Sequence, residues 1–222
     1  MKREQFEHSL INPLLFWSSK TKDELSVLIG EASAVIVSFD QRNPHHCYDL
    51  FLHTLHTVAN IKETAPALLR VAAFFHDIGK PSVAMEKQGR LVFYGHAQKS
   101  ADVAYPILKE MGYSDAEINE ICFYIKHHDD FISWVLPEEE YNHENKYFVP
   151  ITKECMQKHI EKVLKKIDVT DLRPDIQSWK YLLELCYADA SAQADVVIQN
   201  GAIIDTKEHK LRKIKALKNC LM

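Results

Sequence analysis

Glycine is scarce in this sequence, and its positions exclude the common glycine-rich nucleotide-binding loops. The six glycines lie too far apart to form either a GxG or a GxxxxGK pattern. The five cysteines form no CxxC pair, so reduced thiols are expected rather than a disulfide framework or a thiolate zinc site. No apolar run reaches the roughly 18 residues that a membrane-spanning helix needs, and charges with Pro13 interrupt any N-terminal signal core. We therefore expect a cytoplasmic protein with no membrane partner.

The charge balance also excludes a class of partner. A formal net charge of −4 gives no basis for a strong nucleic-acid face. The length of 222 residues and the hydrophobic content of 46% are typical of one globular domain. We predict a single domain over residues 1–222, with a core at about 44–200, an irregular insertion at 129–150 and a C-terminal helix at 203–222.

Helical spacing of apolar residues dominates the chain and predicts an all-α fold of about 8–10 helices. Thr64, Ser114 with Glu117, and Thr152 are the predicted N-terminal caps. At most one minor hairpin is expected, near residues 88–95, and residues 27–39 fit a helix or a buried strand, with helix preferred. The other helices are predicted at about 45–60, 64–76, 97–111, 114–128, 152–167 and 174–200.

The segment APALLRVAAFFHDIGKP, residues 65–81, places two potential metal ligands next to each other. Its apolar stripe ends at His76, which Asp77 follows directly. Gly79 is expected to take the left-handed conformation that ends a helix, and Pro81 to prevent the helix from resuming. Lys80 would then lie at the mouth of the turn, either as a helix cap or as a ligand for an anion.

Two further residues have apolar helical neighbours and so point toward the core. His53 lies at the edge of one such face, and Asp189 continues the stripe of Leu182, Leu185 and Cys186. A buried carboxylate is costly unless it is paired or metal-bound, and an ion pair is the more frequent explanation. A metal site would instead combine four nitrogen and oxygen ligands, which suit Mn, Fe, Ni, Co, Mg or Zn: His53, His76, Asp77 and Asp189.

The order of these segments resembles the HD phosphohydrolase superfamily, in particular the HD domain attached to bacterial tRNA nucleotidyltransferases. The similar stretches are PHHCYDLFLHTL, HDIGKP, FYGHAQKSADVA, IKHHDD and YADASAQAD. The resemblance implies metal ligation by His53, His76, Asp77 and Asp189, and a second ion at His96 and His127 that shares Asp77. Family likeness favours His127, whereas the apolar stripe from Ile118 to Ile125 points nearer to His128. Both remain candidates, with His127 preferred.

The resemblance also implies hydrolysis of a nucleotide, cyclic nucleotide or other small phosphoester, with one or two divalent ions activating water. Asp77, Lys80, His96 and His127 would then be catalytic, and Lys80, Arg90 and Lys99 would bind the substrate phosphate. Two alternatives remain: a mixed-valence di-iron oxygenase of the same fold, and a non-catalytic interaction module. The chain lacks the glycine-rich loop and DxD pair of a nucleotidyltransferase head, so no polymerising activity is expected. A homodimer is compatible with the sequence.

Overall fold

Helix-forming segments separated by clear stop signals give this chain its architecture. The computed structural model describes residues 1–138, 148–167, 174–199 and 202–222. The helices are α1 Arg3–Ser9, α2 Pro13–Trp17, α3 Lys22–Ile29, α4 Glu31–Ala34, α5 Leu50–Ala59, α6 Ala67–Phe75, α7 Lys80–Val83, α8 His96–Met111, α9 Asp115–His127, α10 Lys153–Leu164, α11 Ile176–Ser191 and α12 Lys207–Cys220. Within these ranges, ten helices are longer than four residues. The all-α prediction is confirmed.

Six short strands form three separate two-stranded sheets in the described ranges. They are β1 Met85–Lys87, β2 Arg90–Val92, β3 Trp134–Val135, β4 Val149–Pro150, β5 Val196–Gln199 and β6 Ala202–Asp205. The predicted hairpin near residues 88–95 is present as the antiparallel pair of β1 and β2, with Glu86 opposite Leu91. β3 and β4 pair in parallel at the two ends of the predicted insertion, whose residues 139–147 lie outside the described residues.

Local capping explains where several helices begin. The hydroxyl of Ser114 accepts a hydrogen bond from the Glu117 backbone amide at 3.3 Å, which forms the predicted capping box of α9. Thr152 caps α10, also as predicted. Thr64 is not the cap of α6, because that helix begins after Pro66. The start predicted near His45 is also wrong, because the Asp49 carboxylate accepts from the Leu52 amide and fixes the start of α5 at Leu50.

Two predicted backbone features need correction. Gly79 has φ −80°, so no left-handed conformation is needed there. A Cβ at this position would come within 2.5 Å of the Ser100 amide nitrogen, so glycine allows the turn to pack directly on α8. Pro81 lies in the first turn of α7, where proline is tolerated, and does not prevent a helix.

The helix predicted at 174–200 is also too long. α11 ends at Ser191, and within the described residues β5 and β6 follow it as an antiparallel pair. The region at 27–39 is helical in part, since Gly30, with φ 93°, separates α3 from α4. One hydrophobic core extends from Phe6 in α1 to Leu221 after α12. The single-domain assignment of residues 1–222 stays a prediction.

Candidate metal centre

The Asp77 carboxylate lies between two groups of histidines. Asp77 follows α6 in the chain and is only 2% exposed. Its Oδ2 atom is 3.2 Å from Nε2 of His76 and 3.5 Å from Nε2 of His53. Its Oδ1 atom is 3.2 Å from Nε2 of His96 and 3.7 Å from Nε2 of His128. Each carboxylate oxygen therefore faces its own pair of imidazoles, and both groups have the spacing of a metal site.

Helix ends supply most of these side chains. His76 directly follows α6, His96 is the first residue of α8, and His128 directly follows α9. His53 lies within α5. Because His76 and His128 keep helical dihedrals, their rings extend the buried faces of α6 and α9 toward Asp77. The sequence therefore brings together side chains that lie far apart in the chain.

Hydrogen bonds to the backbone fix which ring nitrogen of three histidines faces Asp77. Nδ1 of His76, His96 and His128 each lies close to a carbonyl oxygen that can only accept, so each Nδ1 donates. The acceptors are Ala73 at 2.7 Å, Phe93 at 2.8 Å and Ile125 at 2.7 Å. In a neutral imidazole the other nitrogen, Nε2, then carries a lone pair toward the carboxylate. This arrangement is typical of metal-ligating histidines.

Unsatisfied buried atoms provide an independent test of metal binding. His53 Nε2, His76 Nε2 and Asp77 Oδ1 are buried and make no hydrogen bond of suitable geometry, although each lies within 3.2 Å of an imidazole nitrogen or a carboxylate oxygen. An unsatisfied buried polar group costs about 1–3 kcal/mol, so three facing one another require an explanation. Imidazole and carboxylate ligands without thiolates suit Mn, Fe, Co, Ni and Zn. The residues present therefore fit a divalent cation.

Asp189 of α11 completes the first group. Its Oδ1 atom lies 3.0 Å from Nε2 of His53 and 3.8 Å from Nε2 of His76. The Gln193 amide donates to both carboxylate oxygens, at 3.1 and 3.2 Å, and orients them. Burial raises the pKa of the Asp189 carboxyl, but contact with His53 lowers it more, so the pKa lies below its ordinary value. Asp189 is therefore an anionic ligand candidate at neutral pH.

Lys80 neutralises Asp77 from the side of α7. Its Nζ atom lies 2.6 Å from Asp77 Oδ2 and donates to the Gln41 amide oxygen at 3.0 Å. Burial by itself raises the pKa of the Asp77 carboxyl, whereas His76 and Lys80 lower it, and the result is well below the usual range. Lys80 is 5% exposed, so it is an internal partner of the carboxylate rather than a surface cap.

The structure does not bring every predicted site residue to Asp77. Arg90 lies in β2 and Lys99 on α8, both are exposed, and no ion pair joins either to the cluster within the described ranges. His127 also lies elsewhere: its Nδ1 atom is 2.7 Å from Oδ2 of Asp130. The structure thus places His128, not the preferred His127, beside Asp77: His128 keeps helical dihedrals and lies three residues after the buried Ile125, so it continues the inward face of α9.

Sequence reasoning missed three polar residues around the cluster. Gln41 contacts Lys80, Gln193 contacts Asp189, and Lys210 of α12 donates to the Gln193 amide oxygen. Gln193 lies four residues after Asp189, the spacing of neighbours on a helix face, which was a usable signal. Gln41 lies three residues before the first similar stretch and Lys210 fifteen residues after the last, and no local pattern marks either of them.

Comparison with known proteins identifies the class to which this fold and site belong. The HD domain family matches residues 45–173, more than half of the chain. The chain belongs to the HD domain family. The matched range includes His53, His76, Asp77, His96 and His128, and it ends before Asp189.

One relative extends the comparison beyond the family. The chain is similar to a CC-adding tRNA nucleotidyltransferase from Thermus thermophilus, with 32% identity over 145 residues. The similarity covers 62% of this chain and 32% of the relative, so the chain spans about a third of that protein's length. Every helix in the part of the chain that the structure describes is too short or too polar to cross a bilayer.

Proposed function

We propose that this chain is a metal-dependent phosphohydrolase that acts on a small phosphoester of the nucleotide class. The observation that carries the proposal is the position of Asp77, whose two oxygens face two separate histidine pairs. A divalent cation at such a centre lowers the pKa of a bound water toward about 7 and polarises a phosphoryl oxygen. His53, His76, Asp77 and Asp189 would hold one ion.

His96 and His128 are the proposed ligands of a second ion, with Asp77 shared between the two positions. Their Nε2 atoms are 3.3 Å apart, and both face Asp77 Oδ1. Lys80 holds the negative charge of Asp77 in place and adds a positive charge beside the carboxylate. Lys80 remains a proposal as a phosphate contact, in which its ammonium would be shared between Asp77 and the phosphate. Arg90 and Lys99 remain proposals as more distant phosphate contacts.

The test is hydrolysis by protein purified without chelator and supplemented with Mn²⁺, Ni²⁺ or Fe²⁺. The substrates are bis(p-nitrophenyl) phosphate, cyclic nucleotides and nucleoside monophosphates, and bound metal is measured by mass spectrometry. We expect metal-dependent hydrolysis of at least one phosphoester class, which His76→Gln abolishes and the matched change His159→Gln retains. Stoichiometric metal without hydrolysis of any of these substrates would contradict the proposal.

An oxygenase is the second candidate, because a carboxylate shared between two ligand groups also suits a pair of irons. Oxygen consumption by iron-loaded protein distinguishes the two reactions. A non-catalytic interaction module is the third, but the unsatisfied buried ligand atoms weigh against it. Protein that binds no metal under any loading condition would favour the module.

A further inference from the structure

A cavity of about 120 Å³ adjoins the candidate metal centre on the side of α12. His128 and Asp189 form the wall toward the centre, and Lys210 of α12 lies beside them. Apolar side chains, among them Ile214 and Leu217, also line it. Two more charged residues complete the lining: Asp129, and Lys213, which donates to the Ile132 carbonyl. The cavity therefore combines a route to the proposed metal ligands, two lysines and a hydrophobic surface.

Lys210 is held differently from Lys80. The Lys80 ammonium is paired with the Asp77 carboxylate, so its charge is compensated. The structure gives the half-buried Lys210 ammonium one polar partner among the described residues, the neutral amide oxygen of Gln193. Burial lowers the pKa of Lys210, although Asp189 and Asp129 act in the opposite direction from beyond contact distance. A partly buried cation without an ion-pair partner leaves room for an anionic ligand.

We propose that Lys210 binds a phosphate oxygen of the substrate and that the adjoining cavity receives the substrate's apolar or aromatic group. This inference rests on the proposed function, because it assigns the substrate of the same centre. Lys210 is one amide group away from Asp189, through Gln193, so a phosphate beside Asp189 lies within reach of the ammonium. The substrate class is a phosphoester with a compact, flat organic group.

The size of the cavity sets the size of that group. An apolar protein cavity of about 150 Å³ accommodates benzene, so a volume of about 120 Å³ suits an apolar group no larger than a six-membered ring. Ile132 lines the same cavity and is 72% exposed, so the opening reaches solvent and the remainder of a larger substrate can extend outward. Burial of the ring against Ile214 and Leu217 would contribute affinity in proportion to the apolar area covered.

Calorimetric titration of the Mn²⁺-loaded protein tests the role of Lys210. The probes are inorganic phosphate and phenylphosphonate, whose carbon–phosphorus bond resists phosphoester hydrolysis. We expect Lys210→Met to weaken binding of both probes by about tenfold or more, the loss typical of one charge-assisted hydrogen bond. Lys210→Arg should retain most of the affinity. Lys207→Met is the matched control, because Lys207 is on the same helix and paired with Asp195.

Metal content separates substrate binding from a positioning role. If Lys210→Met lost its Mn²⁺, Lys210 would be acting through Gln193 on Asp189, and the inference would be overturned. Unchanged phosphate affinity in Lys210→Met would overturn it as well, and so would an absence of phosphate binding by the unaltered protein. Weakened phosphate binding with normal metal content supports it.

The cavity is tested by comparing phenylphosphonate with methylphosphonate, which carries the same charge and lacks the ring. We expect the phenyl compound to bind the unaltered protein several-fold more tightly, because the cavity buries the ring. Equal affinities would overturn the assignment of the cavity. These readouts do not depend on turnover, so protein that binds the probes through Lys210 but hydrolyses nothing would refute the proposed function and leave this inference intact.

Discussion

Two groups of histidine and aspartate lie on opposite sides of the end of α9, and they differ in how their rings are held. In the Asp77 group, His76 and His128 donate from Nδ1 to backbone carbonyls and direct Nε2 toward the carboxylate. In the second group, His127 directs Nδ1 to Asp130 at 2.7 Å, and His159 places Nε2 3.0 Å from the same oxygen. The first carboxylate is 2% exposed and the second 28%.

The comparison shows that residue type alone does not define a metal site. The contacts of Asp130 with His127 and His159 outweigh burial and lower its pKa to about 2, so this group satisfies its own charges. His159 also packs against Phe131 and Trp134, as a structural residue would. Among the described residues, the Asp77 group leaves three ligand atoms unsatisfied, His53 Nε2, His76 Nε2 and Asp77 Oδ1, whereas the second group leaves one, His159 Nε2. Adjacent histidines at the end of one helix therefore serve different purposes.

Removal of the central carboxylate should have the largest effect. Asp77→Asn takes away the oxygen shared by both histidine pairs, so we expect loss of bound metal and at least about a 10³-fold fall in hydrolysis, equivalent to several kcal/mol. Asp130→Asn is the matched change in the second group and should retain both properties. Metal analysis and a phosphodiester assay measure the two effects. Equal losses of metal and of hydrolysis in both variants would show that the two groups do not differ in metal binding.

Metal removal should lower the free energy of unfolding, and this effect should be smaller in kcal/mol than the loss of hydrolysis in Asp77→Asn. At a free metal concentration about 100 times Kd, binding stabilises the folded state by about 2.7 kcal/mol. For a chain of this size that corresponds to a rise in Tm of roughly 5–11 °C. Thermal unfolding with EDTA and with Mn²⁺ measures it. We expect Mn²⁺ to raise the Tm of Asp130→Asn by the same amount and to leave the Tm of Asp77→Asn unchanged. A rise in the Tm of Asp77→Asn would show that the ion binds away from Asp77.

Substitution of His127 and of His128 tests whether only the Asp77 group binds metal. His128→Gln should reduce the affinity for the second ion by at least about 10- to 100-fold, since even an outer partner of a metal ligand has an effect of that size. His127→Gln should leave metal affinity unchanged, because its ring faces Asp130. Metal titration followed by calorimetry distinguishes them, and a greater loss in His127→Gln would restore the original preference for that residue.

The smallest effect is expected for an ion pair outside the candidate metal centre. It shows how much stability is lost when a charged side chain away from the centre is substituted. Arg3 of α1 donates to both carboxylate oxygens of Glu117, at 3.0 and 2.6 Å. Hydrogen bonds from Arg3, and then from the amide and hydroxyl of Ser114, lower the pKa of Glu117 to about 2. Glu117→Gln should cost at most about 1 kcal/mol at neutral pH and leave metal content unchanged.

The pH dependence of that cost has a defined sign. Because the folded-state pKa of Glu117 is depressed from 4.5 to about 2, its contribution is present above about pH 4.5 and is lost as the pH falls toward 2. The difference in unfolding free energy between the unaltered protein and Glu117→Gln should therefore shrink over this interval. Urea titrations at several pH values measure it, and a constant difference would exclude the contacts of the Glu117 carboxylate with Arg3 and Ser114 as its cause.

Local signals predicted the helices well because each depends on only a few neighbouring residues. The Ser114 and Glu117 capping box and the Thr152 cap are local in this sense, and both are present. The end of α11 was missed because neither glycine nor proline interrupts the sequence near Ser191. The dipeptide Asn200-Gly201, between two β-branched stretches, was a usable hairpin signal, and the structure has β5 and β6 on either side of it.

The site was predictable in its residue types and less so in its geometry. His53, His76, Asp77, His96 and Asp189 come together as the order of motifs suggested. The choice between His127 and His128 was decided by the helical periodicity of α9, which continues through His128. The apolar stripe through Ile121 and Ile125 did point to position 128, because that residue follows Ile125 by three. Lys210 required knowledge of how α12 packs.

The hydrogen-bond-range contact between His53 and the Ala192 carbonyl, 139 residues further along the chain, has a consequence for protein synthesis. A ribosome releases α5 and α6 long before α11, so a nascent chain holds His53, His76 and Asp77 without Asp189. The Lys210 side of the cavity is added later still, with α12. Closing so long a loop is slow compared with forming a single helix. The first ligand group, which needs Asp189, is therefore expected to be completed late in biosynthesis, after translation has passed α11, whereas Asp77, His96 and His128 are all synthesised earlier.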